Sequence, residues 1–584
     1  MRAGDPVTKW ARRVARDAAG PGAPGPADGG AVPAEVPFFP ELREECGVFG
    51  IWRHPRAVPL TCQALYALQH RGQDSAGIAA CHPGGSLVVE KAMGLVSEVF
   101  TPARLDRLVA AGPFQAAVGH VRYTTTGGSR PENAQPLVFQ GAGVPFALAH
   151  NGQLVGSEEM RQWLRGQGIR FITSSDSEVM GCLAEFLMRN AAGGNHPGAG
   201  CPGGVGSRED AGARGAGAEG VAGAGGRVCR ALVDALSRVR GAFAVVALTP
   251  AGLLAARDPR GIRPLVLGRL EEAWVVASET CAFDTIGAET IRELEPGEWL
   301  WIDDRGLRGG RLAWAGAARG ATPGPAFCVF ELVYFARPDS RFGDRSIYEV
   351  RKELGRRLAR EHPVAADVVI GVPDSSLPAA TGYSEESGIP HELGLIKNRY
   401  AGRTFIRPDP RLRAEGVRIK LNPIPEVVAG RRVVLVDDSL VRGTTARRLV
   451  RALREAGARE VHLRITSPPY RHSCFYGVDT ADREKLIAAR HGVDEIRRLV
   501  GADSLHFLSL EGMVAATGCA PQAFCLGCFT GEYPVPPGTP GPWPDAVARA
   551  RAEMPARGPA AGGGTDRSAR FPAAAGEERA WLGT

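Results

Sequence analysis

Apolar positions become ordered near Glu44, and two different grammars follow one another along the chain. The run ECGVFGIW (45–52) predicts a buried strand, and LTCQALYALQHRGQDSAGIAA (60–80) predicts a helix followed by another strand. Short apolar runs bounded by turn residues, GAFAVVALTP (241–250), GLLAARDP (252–259) and EAWVVASE (272–279), predict stacked antiparallel sheets. Between these regions, residues 191–227 are rich in Gly, Ala and Ser without periodicity, which predicts a disordered insertion in a surface loop. From Asp367 the runs ADVVIGVP, RRVVLVDD and EVHLRITS are strand-like, and TTARRLVRALREAGA lies between the last two. Ala446, Leu449, Val450 and Leu453 recur there at helical spacing, and Gly457 stands at the C-cap, so a parallel α/β sheet is expected. The Pro/Ala/Gly-rich chain after Tyr533 is expected to be disordered, and no internal repeat is present.

Composition narrows the function classes. A chain of 584 residues suggests two to four domains, and 44% apolar with 23% charged residues is a globular balance. No apolar run reaches the roughly 18 residues a membrane helix needs, so a soluble protein with no membrane partner is expected. The net charge of +7 is small for this length. No Lys/Arg block is interleaved with aromatic residues, which argues against nucleic acid and leaves small anions as candidate ligands. Twelve dispersed cysteines without an apolar signal segment read as reduced thiols or metal ligands, hence a cytoplasmic setting. The Arg-bearing first 20 residues contain Asp5 and Asp17 and no Ser, unlike an organelle transit peptide; a mis-set start codon is an equal alternative.

Cys46 alone reads as a small buried hydrophobe. Its company is HRGQDSAG (70–77), GHVRYTTTG (119–127), AHNG (149–152) and SSDSE (174–178). Together these motifs resemble the N-terminal-nucleophile glutamine amidotransferases, which implies an αββα sandwich and cleavage before Cys46 to remove a leader of residues 1–45. The resemblance makes Cys46 the nucleophile, with its own α-amino group as base. It makes Asn151 and Gly152 the oxyanion donors, and Arg122 and Asp176 the clamps for the glutamine carboxylate and ammonium, with Arg71 also glutamine-binding. Read without it, Asn151–Gly152 is an ordinary hairpin-turn signal, the charged residues are surface groups, and His70 is a satisfied core histidine.

RRVVLVDDSLVRGTTARRL (431–449) is a strand, two acids, a loop and a helix, the layout of a phosphate site. It resembles the phosphoribosyl pyrophosphate signature of type I phosphoribosyltransferases. By that likeness Asp437 and Asp438 bind ribose and Mg²⁺, while Ser439, Arg442, Gly443, Thr444 and Thr445 belong to the phosphate loop. VPDSS (372–376) resembles the pyrophosphate loop, with Ser375 a metal contact. KNRYAGRTFI (397–406) resembles a closing loop whose Lys397, Arg399 and Arg403 meet the pyrophosphate, or else a solvated basic loop.

With both halves on one chain, the stretch from Glu44 to Pro534 resembles the amidophosphoribosyltransferase family. The implied fold is an α+β amidotransferase domain over 46–323 followed by an α/β phosphoribosyltransferase domain over 324–533, with a tail over 534–584. The implied substrates are glutamine and phosphoribosyl pyrophosphate, the implied inhibitors purine nucleotides, and the implied assembly a homotetramer. Cys328, Cys474, Cys525 and Cys528 match the four ligands of the family's [4Fe–4S]-containing subset; zinc is the chemical competitor, and Cys519 is a neighbour of open role. A transcriptional regulator that binds phosphoribosyl pyrophosphate would need a DNA-binding segment, and none is evident. A sugar isomerase joined to the same glutaminase would lack the VDDSLVRGTT loop.

Overall fold

A computed structural model describes residues 46–83, 85–123, 128–141, 143–192, 223–313, 324–398, 421–480 and 482–537. The first half consists of strands β1 (Gly47–Trp52), β2 (Ser75–Cys81), β3 (Leu87–Met93), β4 (Ala116–Arg122), β5 (Leu137–Gly141) and β6 (Val144–Val155), then β7 (Arg240–Thr249), β8 (Gly252–Arg257), β9 (Val266–Leu270), β10 (Ala273–Ala277), β11 (Glu289–Glu293), β12 (Glu298–Asp303) and β13 (Gly306–Arg311). They form two antiparallel sheets, ordered β11-β9-β10-β1-β4-β2-β3 and β13-β12-β8-β7-β6-β5. Val48, Ala79 and Val118 of the first sheet pack on Ala147, Ala244 and Val246 of the second. These small side chains bring the sheets close; a Cβ on Gly50 would lie 2.7 Å from Val246 Cγ1.

Helix α1 (Ala57–Ala67) covers the outer face of the first sheet, and α2 (Ser177–Ala192) and α3 (Gly223–Leu236) cover the second. The result is the expected αββα sandwich. Strands buried on both faces carry continuous apolar sequence, which is why β1, β7 and β8 do not alternate.

In the second half, β14 (Phe327–Cys328) precedes helix α4 (Ile347–Glu361), β15 (Val368–Gly371), α5 (Leu377–Ser387), and the ribbon of β16 (Leu395–Lys397) with β17 (Leu421–Pro423). There follow β18 (Arg432–Asp437), α6 (Thr444–Glu455), β19 (Glu460–Ile465), β20 (Ser504–Phe507) and β21 (Phe524–Cys525). The order β15-β18-β19-β20 is a parallel sheet, as its alternating grammar predicts. Helix α6 buries Ala446, Leu449, Val450 and Leu453, and Gly457 takes φ +95° just past its end.

Two expected borders are corrected. The ends of the 191–227 insertion are helical: α2 runs to Ala192, and α3 begins at Gly223 because Val228, Cys229, Leu232 and Leu236 give it a buried face. Residues 193–222 of the insertion lie outside the described residues, as do the leader and residues 538–584. The tail does not loosen at 534: Val535 is buried, its N–H donates to the Tyr476 hydroxyl (2.9 Å), and that hydroxyl donates to the Val535 carbonyl (2.7 Å). Among the described residues no helix is long and apolar enough to cross a membrane.

Candidate active centres and a cysteine cluster

Cys46 is buried at the head of β1, its thiol facing the Tyr123 carbonyl at 3.6 Å. The neighbouring β4 ends at Arg122, also buried, which donates to the Gly128 carbonyl (3.2 Å). Asp176, just before α2, is buried and accepts the Leu154 N–H at 2.8 Å. Burial pushes the Cys46 thiol pKa up, Arg122 pulls it down and Asp176 raises it, so opposite charges stand within electrostatic reach of the sulfur. A thiol held neutral this way needs a base to react.

Asn151 and Gly152 lie inside β6 and not in a hairpin turn; they pair with Ala244 and Phe243 of β7. Asn151 is completely buried, yet neither its Oδ1 nor its Nδ2 has a hydrogen-bond partner. Such a group costs on the order of 1–3 kcal/mol, so it marks a place kept for something else to bind. Gly152 has φ +135°, and a Cβ there would lie 2.1 Å from the Ala242 carbonyl, so only glycine fits. The His120 ring, on β4 beside Cys46's strand, bonds the His150 carbonyl (3.0 Å), while the Gln135 side chain accepts the His150 N–H (2.8 Å). The backbone of His150, directly before Asn151, is thereby held at both its N–H and its carbonyl.

Arg71 is placed differently from its sequence reading. Its guanidinium is buried and taken by Glu279 (2.5 Å) and by both oxygens of Glu331 (2.9 and 2.7 Å), while its Nε donates to the Cys46 carbonyl at 3.2 Å. It therefore holds the nucleophile residue through its carbonyl. Burial opposes its charge, but Glu331 and Glu279 outweigh that and raise its pKa. His70 is the satisfied histidine, with Nε2 2.7 Å from Glu279 and Nδ1 3.1 Å from the Ala67 carbonyl. Glu279 and Glu331 were not foreseen; the only sequence signal was an acid set inside the apolar run VFELVYF.

The second centre lies at the carboxyl end of the parallel sheet, where β18 delivers Asp437 and Asp438 and β15 delivers the VPDSS loop. Ser375 donates to Asp438 (2.5 Å), Ser376 to Asp437 (3.2 Å), and Ser439 to Asp438 (2.6 Å). Ser376, the second serine of the VPDSS loop, was not foreseen as a partner of the two acids. Burial raises the pKa of Asp438 against the pull of Ser375, Ser439 and Arg351. Gly443 takes φ +74° ahead of α6, and a Cβ there would lie 2.7 Å from Ile487. The buried Oγ1 of Thr444 has no hydrogen-bond partner, as suits a cradle for an anion; Arg442 and Thr445 belong to the same turn. Lys397, at the end of β16, pairs with Asp374 of the pyrophosphate loop at 2.7 Å. Arg399 and Arg403 lie outside the described residues.

Cys328 and Cys525 are register partners in the parallel β14–β21 pair. The Cys528 carbonyl accepts the N–H groups of Arg471 and His472 (both 3.0 Å), and Cys474 Sγ accepts the Tyr476 N–H at 3.4 Å. Burial pushes the Cys328 thiol up to about 11, with Cys474 adding to the rise. Burial likewise raises Cys525 and Cys528, with each also feeling Cys328 and Cys474. Phe330, Tyr470 and Phe529 pack together beside them. Among the described residues no three His, Cys, Asp or Glu side chains converge on a point suited to a single metal ion.

The sequence profile of a phosphoribosyl transferase domain matches residues 346–472, and that of a glutamine amidotransferase domain matches residues 225–285. The amidophosphoribosyltransferase of Bacillus subtilis (strain 168) is 46% identical over 501 residues, which cover 84% of this chain and 94% of that protein. The amidophosphoribosyltransferase of a Synechocystis species is 47% identical over 514 residues, covering 87% of this chain and 93% of that one. The solved structure of the glutamine phosphoribosylpyrophosphate amidotransferase of B. subtilis, complexed with ADP and GMP, matches with a TM-score of 0.72 at 45% identity, over 85% of this chain and 99% of that one.

Proposed function

This chain belongs to the amidophosphoribosyltransferase family, and from that premise we propose which of its residues carry each step. The reaction moves the amide nitrogen of glutamine to C1 of phosphoribosyl pyrophosphate. It yields glutamate, pyrophosphate and 5-phosphoribosylamine, and opens purine nucleotide synthesis.

Cys46 Sγ attacks the glutamine amide carbon while its proton passes to the α-amino group of Cys46. An α-amino group ordinarily titrates at about 7.7–8.0, close enough to neutrality to serve as base, and this one exists only once residues 1–45 have been cut away. The oxyanion so formed takes hydrogen bonds from the Asn151 side-chain amide and the Gly152 N–H. Collapse expels ammonia, which takes the proton back, and water then hydrolyses the thioester. Arg122 and Asp176 distinguish free glutamine from peptide glutamine by meeting its two charged ends. The observation that carries this reading is the buried, unpartnered amide of Asn151.

In the phosphoribosyltransferase unit, 324–533 extended to Val535, the 439–445 loop cradles the 5′-phosphate and Asp437 and Asp438 take the ribose hydroxyls. Mg²⁺ keeps most of its waters and draws on few protein ligands, which suits two carboxylates and Ser375 without a closed cage; it would offset the pyrophosphate charge. Lys397, Arg399 and Arg403 meet the departing pyrophosphate. The four cysteines fit a [4Fe–4S] cluster by donor set: the buried Cys328 and Cys525 and the half-buried Cys474 and Cys528 lie within electrostatic reach of one another, and such a cluster would serve a purely structural role. Because the B. subtilis relative was solved with ADP and GMP, purine nucleotides are proposed as regulators here, together with a homotetrameric assembly.

The test is pyrophosphate release by the wild type and by Cys46→Ser. The variant is expected to lose activity with glutamine and keep it with added ammonia. Loss of both activities, or of neither, refutes the division of labour. Mass spectrometry of the active protein is expected to place Cys46 at the N-terminus.

A further inference from the structure

Two arginines stand behind the glutaminase machinery, and both are held by one carboxylate from outside the amidotransferase sandwich. Glu331 follows β14, in the π-helical turn Glu331–Phe335, and is completely buried. Its two oxygens grip Arg71 at 2.7 and 2.9 Å, and Arg71 in turn donates to the carbonyl of Cys46 itself. The oxygen at 2.7 Å also lies 3.5 Å from Nη1 of Arg263, again fully buried.

Arg263 donates through Nε to the Tyr476 carbonyl (3.0 Å), fixing the loop from Cys474 to Gly477. That loop ends against Gly152 of β6. A Cβ on Gly477 would lie 3.4 Å from the backbone carbon of Gly152 and 3.2 Å from Arg263. With φ +119°, Gly477 is the residue type that allows this backbone-on-backbone contact. One carboxylate thus stands behind both the nucleophile, through Arg71, and the oxyanion donor, through Arg263 and Gly477.

We propose that Glu331 is a positioning residue for the glutamine half-reaction: it sets Cys46 against the Asn151–Gly152 donors while touching neither glutamine nor the reacting atoms. The proposal rests on the glutaminase reading of Cys46. Losing its charge removes the two-oxygen grip on Arg71 and the 3.5 Å ion pair to Arg263, weakening the hold on both guanidiniums. A misplacement of about 1 Å at reacting atoms costs on the order of a hundredfold in rate.

The test uses the full-length chain and the same pyrophosphate assay, comparing wild type, Cys46→Ser and Glu331→Gln with glutamine and with ammonia. Glu331→Gln is expected to lower kcat with glutamine at least tenfold while KM for glutamine stays within about twofold, since Arg122 and Asp176 are untouched. Its ammonia-dependent rate is expected to stay within about twofold. A purely structural role would lower both rates in proportion. Equal loss with both nitrogen sources, or no loss with either, overturns the proposal. Should Glu331→Gln fail to fold, Arg263→Lys, which keeps the charge facing Glu331 and loses the bond to the Tyr476 carbonyl, is judged by the same criteria. Cys46→Ser separates the two layers: if it retains glutamine-dependent turnover, the glutaminase reading itself falls; if it loses that turnover while Glu331→Gln does not, only the role of Glu331 falls.

Discussion

Replacing Asn151 by Leu separates catalysis from stability at one position. The side chain is fully buried and both of its polar atoms lack a partner, so the folded protein carries two desolvated groups, each costing on the order of 1–3 kcal/mol. Leucine has similar volume and no polar atoms, so the substitution removes that cost at little expense in packing. The net effect should be an unfolding free energy unchanged or raised by about 1 kcal/mol, not the loss typical of a core substitution. Catalysis should move the other way. One oxyanion donor supplies roughly 10²–10³ in kcat, so glutamine-dependent turnover should fall by about that factor while ammonia-dependent turnover holds. Thermal or urea unfolding gives the first quantity, and pyrophosphate release with each nitrogen source gives the second. A variant that unfolds several degrees lower while turning over glutamine normally would make Asn151 a structural residue and refute the reasoning.

The remaining outcomes concern the second half. Burial raises the folded pKa of Asp438, so its ionised form costs stability in full above the folded pKa, and the cost fades as pH falls from there to the unfolded pKa. Asp438→Asn should therefore leave stability at neutral pH unchanged or improved, while raising KM for phosphoribosyl pyrophosphate at least tenfold at fixed Mg²⁺. In the wild type the same KM should rise as pH falls and Asp438 takes up its proton; initial rates from pH 5 to 8 check this. Protein purified without oxygen should carry about four irons and four labile sulfides per chain. Cys525→Ser should abolish the visible absorbance, and a colourless wild type loaded with zinc would overturn the cluster assignment.

What the sequence made legible was local. Strands buried on both faces appear as unbroken apolar runs, and α6 appears through Ala446, Leu449, Val450 and Leu453, all of which are buried. The two centres were legible because each is built from short contiguous motifs: VDDSLVRGTT is strand, loop and helix in a single stretch. The partners of Arg71 were not legible because a sequence reports a charge and not what meets it; its carboxylates lie 208 and 260 residues away. Asn151–Gly152 carries the letters of a hairpin turn, and only the pairing of β6 with β7 reveals a strand interior containing a glycine at φ +135°. At the borders of the insertion composition misled, since a Gly/Ala-rich stretch still forms helix where Val228, Cys229, Leu232 and Leu236 can be buried together.

The buried charges at the seam of the two halves are a costly way to join them, since well-packed apolar residues of similar volume often serve stability as well or better. Here the charges do something apolar packing cannot, which is to fix directions. Glu279 accepts from His70, Arg71, Ser340 and the backbone of Arg337, so residues from both halves meet on one carboxylate. Next to Glu331, the turn offers the Leu332 and Ala336 carbonyls to Arg351 of α4, at 3.0 and 2.7 Å. Arg351 is also the cation that pulls on Asp438 at the phosphoribosyl centre. A series of oriented contacts therefore runs from Arg351 through the Glu331 turn and Arg71 to the carbonyl of Cys46. Directional contacts of this kind can hold two discrete arrangements, whereas a greasy seam would let each half settle independently. The selective loss of glutamine-dependent turnover expected of Glu331→Gln is the test of whether fixing those directions matters to the glutamine half-reaction.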